Sequence, residues 1–121
     1  MANYVSFNVP DDIQQKVLEL FDVARNSGKI KKGTNEVTKA IEKGTAKIVM
    51  IASNVAPPEI VMHLGPLCDE KQIVYAFITD KKSIGSVVGV KVGCSAAAII
   101  DAGEGKNLLK TVIDSLKKLK V

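Results

Sequence analysis

The stretch of this 121-residue chain whose residue types and spacing could do chemistry runs Lys31-Lys32-Gly33-Thr34-Asn35-Glu36-Val37-Thr38-Lys39-Ala40-Ile41-Glu42-Lys43-Gly44. On a helix starting near Thr34, Asn35, Lys39 and Lys43 stack at i, i+4 and i+8 with Glu36 beside them, while Val37, Ala40 and Ile41 turn inward. One exposed stripe then joins an amide, a carboxylate and two ammonium groups. It opens at a helix amino end, with Thr34 a good N-cap candidate, where unpaired N–H groups and the positive dipole end favour phosphate. Gly33 just before it lets another backbone come close. A carboxylate repels phosphate, so Glu36 needs a different ligand, and the N1–H and N2–H₂ donors of an exposed guanine edge supply one. Asn35 donates and accepts at once, which suits a base edge. The same residues also fit a solvated helix face, with Glu36 complementing the dipole and Lys39 and Lys43 paired with Glu36 and Glu42.

Charge placement bears on that choice. Between Lys29 and Lys47 six lysines (Lys29, Lys31, Lys32, Lys39, Lys43, Lys47) face two acids, Glu36 and Glu42, so the stretch carries the whole formal net charge of +4. The remainder of the chain sums to zero. Such a local excess is the footprint expected for a polyanion, although a soluble lysine-rich face would look similar.

Other reactive residue types are sparse. Cys68 and Cys94 form no C-x-x-C pair and stand beside no cluster at metal-ligand spacing, so no metal site is expected and both read as reduced core thiols of a reducing compartment. His63, the one histidine, reads as a boundary residue on a helix, and Ser95 has no G-x-S-x-G elbow around it. No catalytic residue can be named. Gly85, Gly89 and Gly93 recur every four residues but match no phosphate-loop or dinucleotide fingerprint, so a small nucleotide- or metabolite-binding enzyme would rest on fold analogy alone. Aromatic residues make up 4% with no tryptophan, which disfavours a stacking platform for single-stranded bases. A subunit whose main surface serves other proteins is a third class to weigh.

These side chains need elements to hold them. Pro10-Asp11-Asp12 followed by Ile13, Val17, Leu20, Phe21 and Ala24 predicts an amphipathic helix ending near Gly28, and a short segment, Lys29-Ile30-Lys31, leads into the helix at Thr34, which Gly44 stops. Lys47–Ala52, Ile73–Ile78 and Ala96–Ile100 are short apolar runs and predict strands covered on both faces. Between the first two, Pro57-Pro58-Glu59 opens a predicted helix carrying Ile60, Val61, Leu64, Leu67 and Cys68, kinked by Pro66. A shorter helix after Asp80, with Ile84, Val87 and Val88 inward, closes at Gly89; after a turn at 101–105, Leu108 to Leu119 forms the last helix. Helices alternating with buried strands give one α/β domain over residues 1–121, a three-layer α/β/α sandwich around a mixed, about four-stranded sheet. No apolar run reaches the ~18–20 residues of a membrane span, and Met1-Ala2-Asn3-Tyr4-Val5-Ser6 lacks the basic region and apolar run of a secretory signal, so a cytoplasmic protein with no membrane contact is expected.

Gly33-Thr34-Asn35-Glu36-x-x-Lys39 resembles the signature of the ribosomal protein L7Ae family, which includes the L30e proteins. The similarity continues through Ile51-Ala52, a loop ending in Pro57, Glu59-Ile60-Val61, His63-Leu64, Leu67-Cys68 and the glycine segment Ile84-Gly85 to Gly89-Val90. The resemblance implies an archaeal-type, non-enzymatic protein without cofactor that binds kink-turns in large-subunit ribosomal RNA, box C/D and H/ACA guide RNAs and ribonuclease P RNA. It further implies contact with other ribonucleoprotein subunits, a part in tRNA processing, and a monomer before RNA is met. Carried over by position, Asn35 and Glu36 would read sheared guanine·adenine pairs, Lys39 would hold guanine or nearby phosphate, and Lys32 and Lys43 would support the phosphates. Gly33 and Thr34 would frame that helix start. Ile60, Lys81 and the apolar loop Val90-Lys91-Val92-Gly93 would complete the interface, the loop covering an unstacked base. Where the family commonly has an acid before the third helix, this chain has Asn54 and Ala56.

Overall fold

The computed structural model describes residues 4–120. Met1-Ala2-Asn3, part of the opening hexapeptide read above, lies outside the described residues. Helix α1 (Asp11–Ser27) begins where Pro10 leaves its carbonyl to the amides of Ile13 and Gln14, with two acids in the first turn. It buries Val17, Leu18, Leu20, Phe21 and Ala24, so Leu18 joins the expected stripe while Ile13 is only half-buried. The chain then forms β1 (Lys29–Lys32), α2 (Thr34–Glu42), β2 (Ile48–Ala52), a 3-10 turn at Pro58–Ile60, α3 (Leu64–Lys71) and β3 (Val74–Ile78). Helix α4 (Lys81–Val88), β4 (Ala96–Asp101), a second 3-10 turn at Gly103–Gly105 and α5 (Lys106–Lys120) complete it.

The sheet runs β1-β4-β2-β3 and is mixed: β2 lies parallel to β3, while β4 is antiparallel to both β1 and β2. All five residues of β2 are buried, which requires cover on both faces. Helix α1 packs with α4 and α5, and α2 packs with α3, so the sheet is sandwiched between two helical layers. Ala96, Ala97 and Ala98 keep β4 thin where helices approach from both sides, and Phe21, Leu20, Ile41, Met50 and Ile84 fill the layers fully buried. Each such large side chain contributes about 1.5–3 kcal/mol relative to exposure. No described helix is long and apolar enough to cross a membrane.

Three expectations need correction. Lys29-Ile30-Lys31 is not a mere connector but part of edge strand β1, with Ile30 opposite Ile99 and Lys31 opposite Ala98. Its partner strand, not its own composition, holds it extended. The helix expected to open at Pro57-Pro58-Glu59 is broken: a 3-10 turn and a turn at 61–63 precede α3, leaving Ile60 off the helix and 41% exposed, and His63 in the turn ahead of it. Pro66 is the third residue of α3, where an N–H would have no helical partner, so it introduces no kink.

The topology gathers the loops. Because β4 is antiparallel to β1 and β2, the carboxyl ends of β1, β2 and β3 and the amino end of β4 lie together. The β1–α2 junction, the loop after β2, the start of α4 and the loop before β4 therefore emerge at one end of the sheet. That end of an α/β sheet is where ligands generally sit. Its β2 side is braced by Tyr4, whose hydroxyl donates to the Ala52 carbonyl (2.6 Å) and accepts from the Val55 amide (3.2 Å).

Candidate nucleic-acid interface

The centre of this end is the start of α2. Gly33, not Thr34, is its N-cap, and no side chain caps the helix. Gly33 has φ 92° and ψ 151°, a conformation essentially restricted to glycine, while its amide donates to the Ala96 carbonyl at 2.9 Å. Thr34 is instead the first helical residue, and its hydroxyl meets the Ser95 hydroxyl at 2.7 Å. The chain thus enters α2 pinned to the start of β4, and the first-turn amides lack the side-chain oxygen that Thr34 was expected to supply.

Beyond that junction the stripe stands as the spacing implies. Asn35, Glu36, Lys39 and Lys43 are exposed, while Val37, Ala40 and Ile41 are buried beneath them. The ion pairs of a self-neutralised helix face do not form: among the described residues the one salt bridge is Arg25 to Asp22, at 3.4 Å. Glu36 and its neighbouring lysines therefore present their charges outward.

Helix α2 is steadied from the turn ahead of α3 as well. The Thr38 hydroxyl donates its proton to the Thr34 carbonyl (2.7 Å), so it can only accept from His63 Nε2, 2.9 Å away. That assigns the proton to Nε2 and gives His63 a bracing role.

The glycine segment forms the adjoining wall. Gly89 ends α4 with φ 83°, and a Cβ on Gly85 would lie 2.3 Å from the Val92 carbonyl oxygen, so the loop back to β4 lies directly on the helix. Held there, Val92 is 76% exposed and Lys91 is also exposed, whereas Val90 is half-buried. Lys32 ties the two walls together, its ammonium donating to the Val88 carbonyl at 3.2 Å. Lys81 is exposed at the start of α4; its carbonyl accepts from the Cys94 amide, and a Cβ on Gly93 would meet its side-chain stem at 2.8 Å.

Asn54 has a specific use here. Its Oδ1 accepts from the Lys81 amide (2.9 Å) and its Nδ2 donates to Asp80 Oδ1 (3.2 Å), while the same Asp80 oxygen caps α4 through the Lys82 amide (2.9 Å). The Lys82 amide first, then the Asn54 amide, hold the Asp80 carboxyl below the ordinary aspartate value.

The structure thus places Lys32, Gly33, Thr34, Asn35, Glu36, Lys81, Val90, Lys91 and Val92 at one end of the sheet, with Ile60 on the loop after β2 and Lys39 and Lys43 leading away along α2. Two lysines counted in the basic stretch but not among the expected contact residues adjoin them: Lys29 and Lys31 of β1 line a groove whose other wall holds Glu36, Lys39 and Lys43. Recognising β1 as a strand would have found them, since its i, i+2 spacing puts Lys29 and Lys31 together. Among the described residues no group of three His, Cys, Asp or Glu side chains could hold a metal ion.

Residues 15–109 match the family model described as Ribosomal protein L7Ae/L30e/S12e/Gadd45 family. The structure superposes on a Giardia lamblia 15.5kD RNA binding protein with a TM-score of 0.91 at 26% identity, over 98% of this chain and 99% of that one.

Proposed function

The chain belongs to the ribosomal protein L7Ae/L30e/S12e/Gadd45 family, and from that premise we propose that it is an RNA-binding protein that recognises kink-turns. Asn35 and Glu36 read the guanine edges of sheared guanine·adenine pairs. Lys39 holds guanine or the adjoining phosphate, with Lys32 and Lys43 as further phosphate contacts. Gly33 and Thr34 set the approach, Ile60 and the Val90–Val92 loop cover the unstacked base, and Lys81 and Lys91 flank it. The observation that carries this reading is the joint exposure of Asn35 and Glu36 at an uncapped helix start, unneutralised by any ion pair among the described residues. The RNA-binding name of the Giardia protein, with nearly full-length superposition, supports it.

In this reading the RNAs are large-subunit ribosomal RNA, box C/D and H/ACA guide RNAs and ribonuclease P RNA, and the bound protein seeds ribonucleoprotein assembly, with tRNA processing as one outcome. The role is non-catalytic, cofactor-free and cytoplasmic, and the free protein is a monomer. A gel-shift titration tests the core of the proposal: a kink-turn RNA should be bound tightly, and replacement of both guanine·adenine pairs should abolish that preference. Equal affinity for the two RNAs would refute it.

A further inference from the structure

We infer that the groove between β1 and α2 is a second track for RNA phosphates, which holds the stem leading away from the kink; the inference rests on the reading of the α2 amino end as an RNA site. Lys29 and Lys31 form one wall, and Glu36, Lys39 and Lys43 the other, with Ala40 and Ile100 between. Four lysines thus line the groove with a single carboxylate. None of the four has an acidic partner within salt-bridge distance among the described residues. Like charges gathered in one groove repel one another, an arrangement relieved by a bound polyanion.

Lysines on an edge strand do discourage unwanted strand pairing. That purpose would be served by charges pointing anywhere off the edge; it does not require two of them to face Lys39 and Lys43 across a groove. The occupant is a phosphodiester chain, because the groove is continuous with the base-edge stripe and shares Glu36 with it. From Glu36 to Lys43 the helix rises about 10 Å at ~1.5 Å per residue. A nucleic-acid strand advances by roughly 3 Å per nucleotide, so this length lies beside about three phosphates.

The test compares the Lys29→Ala/Lys31→Ala protein with the parent on two RNAs, a kink-turn with a long stem and one trimmed to the kink and its immediate pairs. On the long-stem RNA the salt dependence of affinity should flatten by ~1.4–1.8 log units per log salt, two contacts' worth. On the trimmed RNA it should not change, and the preference over the pair-replaced control should persist on both. Lys29→Gln/Lys31→Gln, which keeps hydrogen-bonding length without charge, repeats the measurement should the alanine protein fold poorly. An unchanged salt slope on the long stem overturns the inference. So does displacement of polyglutamate, but not of RNA, by these substitutions, which would assign the groove to an acidic peptide. Loss of preference for the kink-turn in the parent protein would instead refute the base-edge reading, a result separable from the slope.

Discussion

Glu36 is the residue at which two physical models part. Its replacement by alanine makes the basic stretch more positive, so attraction of a polyanion by net charge alone predicts tighter or unchanged RNA binding. A carboxylate that accepts from a guanine edge predicts the reverse. We expect Glu36→Ala to weaken kink-turn binding by roughly 5- to 150-fold, the equivalent of the ~1–3 kcal/mol of a good bidentate base contact, measured by titration at fixed salt. Asn35, Glu36, Lys39 and Lys43 were readable from sequence because they follow a local helical period that needs only a helix start. Lys29 and Lys31 were legible only as part of a basic stretch, since their place opposite α2 depends on β1 pairing with β4, some seventy residues away. Thr34 was misjudged for a related reason: its hydroxyl found a partner in Ser95, equally remote in sequence.

At the scale of elements, α4 and the loop that follows it behave as one unit. The hydrogen of the Gly85 Cα faces the Val92 carbonyl, and a methyl there would meet backbone that cannot swing aside. Gly85→Ala should therefore destabilise the protein by about 1–3 kcal/mol in urea unfolding, the range for overpacking, and should weaken RNA binding by moving Val92. The other end of α4 is sensitive to acid. Asp80 has its carboxyl held below the ordinary value in the folded state, so its contribution is present above the unfolded aspartate pKa of about 3.9 and is lost as pH falls through the lower folded value. Asp80→Asn, which keeps a good cap, should show a shallower decline of melting temperature below pH ~4 than the parent. Strands β2, β3 and β4 were plain in the sequence as apolar runs. The four residues of β1, three of them lysine, carried no such pattern, and the break before α3 was masked by apolar spacing that continued across it.

For the whole molecule, stability and RNA affinity respond to different forces. The core is apolar throughout, with no buried charged side chain among the described residues, and the single ion pair there is exposed. Urea unfolding in ~50 and ~200 mM salt should thus differ by no more than about 1 kcal/mol. Over the same range RNA affinity should fall by roughly 50-fold if four phosphates are held at ~0.7 log units each. A large salt effect on folding would show that the lysine-rich face is neutralised internally after all. The layered fold followed from alternating helices and buried strands; the collection of four loops at one sheet end followed only from strand order, which periodicity does not encode.

Cys94, two residues after Val92, is buried, with its thiol donating to the Ala96 carbonyl at 3.1 Å and its amide to the Lys81 carbonyl. An alkylating reagent reaches that buried sulfur chiefly in moments when the loop that carries it opens, so the modification rate serves as a clock for that opening. RNA that seats Val92 should slow the clock, and peptide mapping by mass spectrometry tells Cys94 from Cys68. Unchanged labelling with RNA bound would mean that this loop stays free in the complex.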